Sequence, residues 1–282
     1  MAKYDALDVV LRKIKSKEDW KTLAEICDCK DRINVDDYSI DGCIKTVYDI
    51  YKGDIKYYDK THTYENLAVL FNKEIRTNYG NTFANIFRDE YEPDYDVILK
   101  DTAKKLKVKN IPEVQSLSIK DVEYLEKEIM VQVLENVKKS IIKKKGIEAW
   151  QNIERMTQDG IEKAYKDGKI TAEEYEQMKV SWGSIGMIAL LAAGNMSGFL
   201  VYMLANQLFF AISRYLGLGI GVAVAGPVIG KTLAFLLGPF GWALATLWLL
   251  IGLGDTNWKK TIPTVVCIGA FRQQQKYEAR KL

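Results

Sequence analysis

Residues 225–232 read Ala-Gly-Pro-Val-Ile-Gly-Lys-Thr, which is the spacing of a phosphate-binding loop with alanine in the first position. In such a loop, backbone amides surround a phosphate and the lysine, here Lys231, approaches its charge. The surroundings argue against this chemistry, because Pro227 removes one amide and the segment lies inside an apolar block. Nucleotide binding through Lys231 is therefore retained only as an unfavoured hypothesis.

Residues 163–174 carry part of the pattern of a calcium-binding loop. Gly168 and Glu174 stand at positions 6 and 12 of that loop. Positions 1 and 3 require carboxylates, whereas this chain has Lys163 and Tyr165 there. We therefore expect residues 167–174 to form a turn followed by the start of a helix, with Thr171 and Glu174 as a capping box and without a metal ion.

Residue types that dominate metal and nucleophilic chemistry are scarce. The chain has one histidine, His62, and four cysteines, of which only Cys27 and Cys29 are close in sequence. One Cys-x-Cys pair without a second pair does not match a zinc site, and one histidine cannot form a His–His metal site. Four scattered cysteines are also too few for a disulfide framework. We expect no catalytic residue, metal or cofactor, and predict that the protein is not an enzyme.

Charge is distributed very unevenly along the 282 residues. The chain has 40 basic and 37 acidic residues, but residues 181–258 contain only Arg214, Lys231 and Asp255 among them. The resulting net charge of +3 gives no indication of nucleic-acid binding. Residues 1–180, which are rich in charged residues, are thus followed by the apolar segment 181–258.

Two uncharged stretches, 181–213 and 232–254, are 33 and 23 residues long. Each is longer than the roughly 20 residues that cross the hydrocarbon of a bilayer. The segment 214–231 between them is short for a span and contains Pro227. The pattern predicts a membrane-inserting helical hairpin in a lipid bilayer. Two alternatives remain open: a releasable hairpin buried in a jacket of amphipathic helices, as in water-soluble forms of pore-forming toxins, and an ordinary protein core.

The charged residues after 258 are predominantly basic, with six Lys or Arg against Glu278, which favours the cytoplasmic side of a membrane. Both soluble ends of a hairpin lie on the same side, so the N-terminal part is expected to be cytoplasmic as well. The basic residues expected at the inner face are Arg214, Lys231, Lys259, Lys260 and Arg272.

Glycines recur four residues apart in the apolar block. Such pairs allow close helix contact in lipid, where the hydrophobic effect does not drive helix association. They predict helix packing and a homo-oligomer, although a simple loop explains residues 217–230 equally well. The glycines concerned are Gly194, Gly198, Gly217, Gly221, Gly226 and Gly230.

The remaining sequence has helical periodicity. In residues 118–144, Val122, Leu125, Ile129 and Val133 form one apolar stripe. Strand-type alternation of comparable length does not occur, so the predicted fold class is all-α. By composition the chain divides into a small helical unit (1–30), a helical soluble domain (31–180), the hydrophobic hairpin (181–258) and a basic tail (259–282).

Four segments carry a recognisable pattern: 80–88 (Gly-Asn-Thr-Phe-Ala-Asn-Ile-Phe-Arg), 95–107, 238–242 (Gly-Pro-Phe-Gly-Trp) and 261–272. They resemble the YaaW-type family of bacterial proteins, which is loosely grouped with ubiquinol-cytochrome c chaperone proteins. The resemblance covers most of the chain and implies a bacterial, all-helical protein, but it supplies no catalytic residue. A small helical domain like residues 3–30 often precedes the family's main domain.

Three hypotheses follow for the function. The first is a non-enzymatic protein of the bacterial inner membrane that self-associates as a scaffold or permeabilises membranes. The second, suggested by the family grouping, is an assembly factor or chaperone for a membrane-protein client. The third is a nucleotide-binding enzyme that uses Lys231. A cytoplasmic location is the alternative to the membrane.

Overall fold

The computed structural model describes residues 5–29, 33, 35, 63–80, 93–193, 196–217 and 256–281. Within these residues the protein is entirely α-helical and has no strand. The described helices are α1 (Ala6–Leu11), α2 (Lys17–Ile26), α3 (Thr63–Gly80), α4 (Tyr95–Leu106), α5 (Ile119–Lys145), α6 (Ile147–Lys166), α7 (Ala172–Ile185), α8 (Met187–Ala192), α9 (Gly198–Tyr215) and α10 (Thr256–Lys281).

The chain divides into two compact units. One contains Met1–Glu126 and Gly254–Arg272, and the other contains Lys127–Leu253 and Gln273–Leu282. Each unit therefore combines residues that are far apart in the sequence. The four segments proposed from composition remain a prediction.

The first unit is built around the apolar faces of α1 to α4 and the first part of α10. Asp5 caps α1, because its carboxylate accepts hydrogen bonds of 3.1 Å from the backbone amides of Leu7 and Asp8. Trp20 of α2 stacks on Phe71 of α3 with 5.1 Å between the ring centroids. Both rings are fully buried, so this pair lies in the core of the unit.

The second unit is built around α9, which packs against α6. The two helices approach closely at Gly160, where a Cβ atom would lie 2.6 Å from the side-chain oxygen of Gln207. Helix α7 begins with a capping box in which Glu174 donates its backbone amide to Thr171 and accepts the amide of Thr171 in return. This start agrees with the turn and helix cap predicted for 167–174.

The first uncharged stretch, 181–213, is divided among three helices, contrary to the single span expected from its length. Gly186 ends α7 with a φ of 75°, a conformation that favours glycine. Ser197 then starts α9 by accepting the amide of Leu200 at 3.4 Å. Among the described residues, no helix combines the length and the apolar character needed to cross a bilayer. The second stretch, 232–254, lies outside the described residues.

Candidate functional site

The first unit contains an ion pair that is almost completely withdrawn from water. Glu126 of α5 is 0% exposed and Arg272 of α10 is 4% exposed. The guanidinium donates from Nε to Glu126 Oε2 at 2.9 Å and from Nη2 to Oε1 at 3.0 Å. Tyr95 donates to the same carboxylate at 2.9 Å, and Arg272 also donates to the carbonyl of Ala6 at 3.0 Å. The pair thus connects α5 and α10 to the start of α1 and of α4.

The surroundings of Arg272 favour its charged form. Burial by itself lowers the pKa of Arg272, but the charge and hydrogen bonds of Glu126, together with the smaller effects of Tyr95 and Glu123, outweigh burial and raise that pKa above its ordinary value. Glu126 accepts three hydrogen bonds and has no exposed surface, so it is poorly suited to exchange protons with a substrate. The arrangement is that of a structural clamp.

A second polar cluster in the first unit surrounds Arg76 of α3, which is only 8% exposed. Its guanidinium forms an ion pair with Asp5, donates to Asn72 at 2.6 Å and donates to the carbonyl of Pro93 at 2.7 Å. Asp94, which is exposed, lies 3.8 Å away. This arginine therefore holds the N-terminal cap of α1 and the entry to α4 against α3.

The pKa values of two carboxyl groups in this cluster are shifted in opposite directions. Burial raises the pKa of Asp5, but the charge of Arg76 together with hydrogen bonds from Arg76 and Asp8 outweighs burial and holds this pKa below the ordinary value for aspartate. Asp8 accepts a hydrogen bond of 2.8 Å from Asn72 and lies 3.9 Å from Arg76. Burial raises the pKa of Asp8 to about 6, and the side-chain hydrogen bond with Asp5 and the negative charge of Asp5 act in the same direction.

Replacing Asp8 with asparagine is expected to change the pH dependence of stability. Between pH 4 and 6, folded Asp8 keeps a proton that the unfolded chain releases, so its contribution to stability falls as pH rises. The Asp8→Asn variant removes this loss and should be more stable than the parent by about 1 kcal/mol at pH 7.5, after allowance for partial exposure. Urea unfolding at pH 4 and pH 7.5 measures the difference.

The control for this prediction is Asp5→Asn, for which the opposite sign is expected. The lowered pKa of Asp5 means that its charged form stabilises the fold above pH 4, so this variant should lose stability at pH 7.5. If both variants changed the free energy of unfolding in the same direction at pH 7.5, the assignment of the raised pKa to Asp8 and of the lowered pKa to Asp5 would be wrong.

Of the glycines predicted to pack helices, only Gly198 and Gly217 lie among the described residues. A Cβ atom at Gly198 would collide with the flexible end of the Gln273 side chain within the second unit, and helix packing through this glycine remains a prediction. Gly217 has a φ of 66°, and a Cβ atom there would meet nothing within 4 Å, which identifies this glycine as the turn that follows α9. The others, Gly194, Gly221, Gly226 and Gly230, lie outside the described residues.

The basic residues predicted for an inner membrane face have different environments. Arg214 and Lys259 are exposed. Lys260 forms an ion pair of 2.9 Å with Asp28. Arg272 is buried in the clamp with Glu126, an environment that differs from the one expected for a residue facing lipid headgroups. Lys231 lies outside the described residues.

The described cysteines, Cys27, Cys29 and Cys267, are buried free thiols. Cys27 Sγ lies 3.5 Å from the hydroxyl of Thr264, and burial raises the pKa of Cys267 well above its ordinary value. Thiols in such surroundings are poor nucleophiles. Among the described residues no group of three or more metal-binding side chains occurs.

Sequence patterns did not predict the Glu126–Arg272 pair or the close approach at Gly160. A signal exists for the ion pair. Glu126 follows Leu125 on the apolar stripe of α5, and Arg272 directly follows an apolar run of the sequence that ends at Phe271. A charged residue inside an apolar face indicates a buried partner, because an unpaired charge is costly there.

Comparison with known proteins reveals distant relatives. A UPF0174 protein of Helicobacter pylori (strain J99 / ATCC 700824) is 27% identical over 218 residues, which are 77% of this chain and 93% of that protein. Another match to a UPF0174 protein of the same strain is 34% identical over 96 residues and covers 33% of this chain and 38% of the relative. No family model and no solved structure matches. The chain is therefore similar to an uncharacterised family of bacterial proteins.

Proposed function

We propose that this protein is a non-enzymatic, membrane-associated helical protein that self-associates at the bacterial inner membrane, either as a scaffold or as a membrane-permeabilising effector. Helix α9 is the element that would enter the lipid. The N-terminal part of the chain would remain on the cytoplasmic side. The alternative location is the cytoplasm.

The observation that carries this proposal is the all-round apolar character of α9. Its residues 199–206 are buried without interruption, and eight consecutive residues of a helix cover every face. Its one charged residue, Arg214, lies in the last turn. A helix with apolar residues on every side is typical either of a protein core or of a membrane. A bilayer could therefore replace the protein core around most of α9.

Two polar residues near the middle of α9 support self-association. Asn206 is buried and its neighbour Gln207 is half-buried against Gly160. In lipid, such side chains require hydrogen-bond partners, which a second copy of the same helix provides. The glycines predicted to pack helices, Gly198 among them, would add close contacts to the same association.

Membership of the YaaW-type family remains a further proposal, supported by the resemblance of residues 80–88 and 238–242. Its loose grouping with ubiquinol-cytochrome c chaperone proteins would make the chain an assembly factor that presents α9 to a membrane-protein client. Nucleotide binding at Lys231 is the least supported alternative, and direct titration with ATP would test it.

Fractionation of cells that express the full chain tests the main proposal. We expect the protein in the membrane fraction after carbonate washing, because insertion of an apolar helix resists alkaline extraction whereas peripheral contacts do not. Release of a trapped dye from liposomes would favour the permeabilising effector, and bound protein without leakage would favour the scaffold. A protein found only in the supernatant, without affinity for vesicles, would rule out the proposal.

A further inference from the structure

The turn between α5 and α6 exposes a compact set of basic side chains around one apolar residue. Lys143, Lys144 and Lys145 form the end of α5 and are all exposed, as is Lys139 one turn earlier. Ile147, the first residue of α6, is 51% exposed. We call Lys139, the three consecutive lysines and Ile147 the basic turn.

Stabilisation of the helix end explains only part of this arrangement. Cations near the C-terminus of a helix interact favourably with its dipole. Three consecutive residues, however, point in directions about 100° apart, so they surround the helix end instead of forming one solvated face. Residues 138–155 contain six basic and two acidic residues, and one of the acids, Glu154, accepts the backbone amide of Met187. The basic turn therefore carries a strong positive charge.

The exposed isoleucine indicates what the basic turn contacts. An aliphatic side chain surrounded by lysines matches the interface of an anionic bilayer, where the ammonium groups meet lipid phosphates and the aliphatic group enters the acyl boundary. Binding to single-stranded nucleic acid requires exposed rings on which bases stack. The nearby Trp150 is unsuitable, since it is 1% exposed and covered by Lys138 at 5.6 Å.

We propose that the basic turn is a docking surface for anionic lipid headgroups and that Ile147 enters the interface. This inference rests on the proposed function in one respect, namely that the protein is located at a membrane. It concerns reversible electrostatic contact through the α5–α6 turn, whereas the proposed function concerns insertion of α9. The two can therefore fail independently.

Co-sedimentation of the full chain with vesicles tests the docking surface. The vesicles are made of phosphatidylcholine alone or of phosphatidylcholine with phosphatidylglycerol. The variant Lys143→Gln/Lys144→Gln/Lys145→Gln should bind the anionic vesicles at least about ten-fold more weakly than the parent, since each lysine near an anionic surface contributes about five-fold. High salt should weaken binding of the parent to the same vesicles.

A matched control removes three lysines from the end of the next helix in the same unit. In Lys163→Gln/Lys166→Gln/Lys169→Gln, two of the lysines replaced already pair with Glu162 and Asp167, so binding should change by less than about two-fold. An equal loss in both triple variants would contradict a local docking surface. Ile147→Ser should weaken the salt-resistant part of the binding.

Other outcomes identify a different partner or a different mode of contact. Equal binding of the parent to both kinds of vesicle would overturn the docking surface. Tighter binding of the parent to a DNA fragment than to anionic vesicles would overturn it in favour of nucleic acid. If the glutamine variant stays in the carbonate-resistant membrane fraction and binds anionic vesicles as well as the parent does, the proposed function stands and the docking surface does not.

Discussion

Replacement of Arg272 by methionine is expected to lower the free energy of unfolding of the first unit by about 3–5 kcal/mol. The variant would remove the guanidinium from Glu126, which is 0% exposed in the parent, and would leave Tyr95 as its remaining partner in the clamp. An uncompensated buried carboxylate either stays charged at high cost or takes up a proton. Urea unfolding followed by circular dichroism measures the loss.

A double variant separates the cost of an unpaired charge from the value of the pair itself. Glu126→Leu/Arg272→Met removes both charges and should recover most of the stability, since a buried ion pair is often replaceable by apolar residues of similar size. Lys166→Met breaks the exposed pair with Glu162 and should leave stability unchanged. If Arg272→Met had as little effect as Lys166→Met, the clamp would have no structural role.

Two substitutions at Leu204 in α9 should change membrane binding in opposite directions. Leu204 is 0% exposed, and Leu204→Ala should cost the second unit about 2–5 kcal/mol of stability. The alanine helix remains apolar, so easier release of α9 should increase vesicle binding. Leu204→Lys also destabilises the unit, but a lysine at mid-helix costs about 2.5–3.5 kcal/mol in a bilayer, so it should abolish carbonate-resistant binding. The fraction of each variant that sediments with vesicles after carbonate washing measures this change in membrane binding.

A matched control distinguishes release of α9 from general unfolding. Leu99 of α4 is also 0% exposed but belongs to the first unit. Leu99→Ala should lose a comparable amount of stability without increasing the carbonate-resistant fraction. Equal membrane binding by the two alanine variants would show that exposure of any core, and not of α9, causes the binding.

Local patterns predicted much of the helical structure. The stripe from Val122 to Val133 indicated a helix over 118–144, and α5 extends from Ile119 to Lys145. The spacing of Thr171 and Glu174 is that of the capping box now observed at the start of α7. Such features depend on residues within one or two turns of one another, which is why a single sequence contains enough information to predict them.

The division of the uncharged stretch 181–213 into three helices was harder to predict, because the absence of charged residues does not show where one helix ends and the next begins. Gly186 and Ser197 are compatible with a continuous span in lipid, and their roles at helix ends depend on how α8 and α9 pack. The clamp was likewise hidden, since Glu126 and Arg272 are 146 residues apart. Only tertiary contact reveals which charged residues of an amphipathic helix are buried together.

Helices of 27 and 20 residues meet at one glycine, Gly146, whose φ of 84° suits no other residue well. A connection of one residue leaves the backbone little conformational freedom between the two helices. The backbone positions of the lysines at the end of α5 are consequently fixed before the protein meets a surface. Contact with a flat, negatively charged surface would then require little further ordering of the backbone, so more of the electrostatic attraction would remain as affinity.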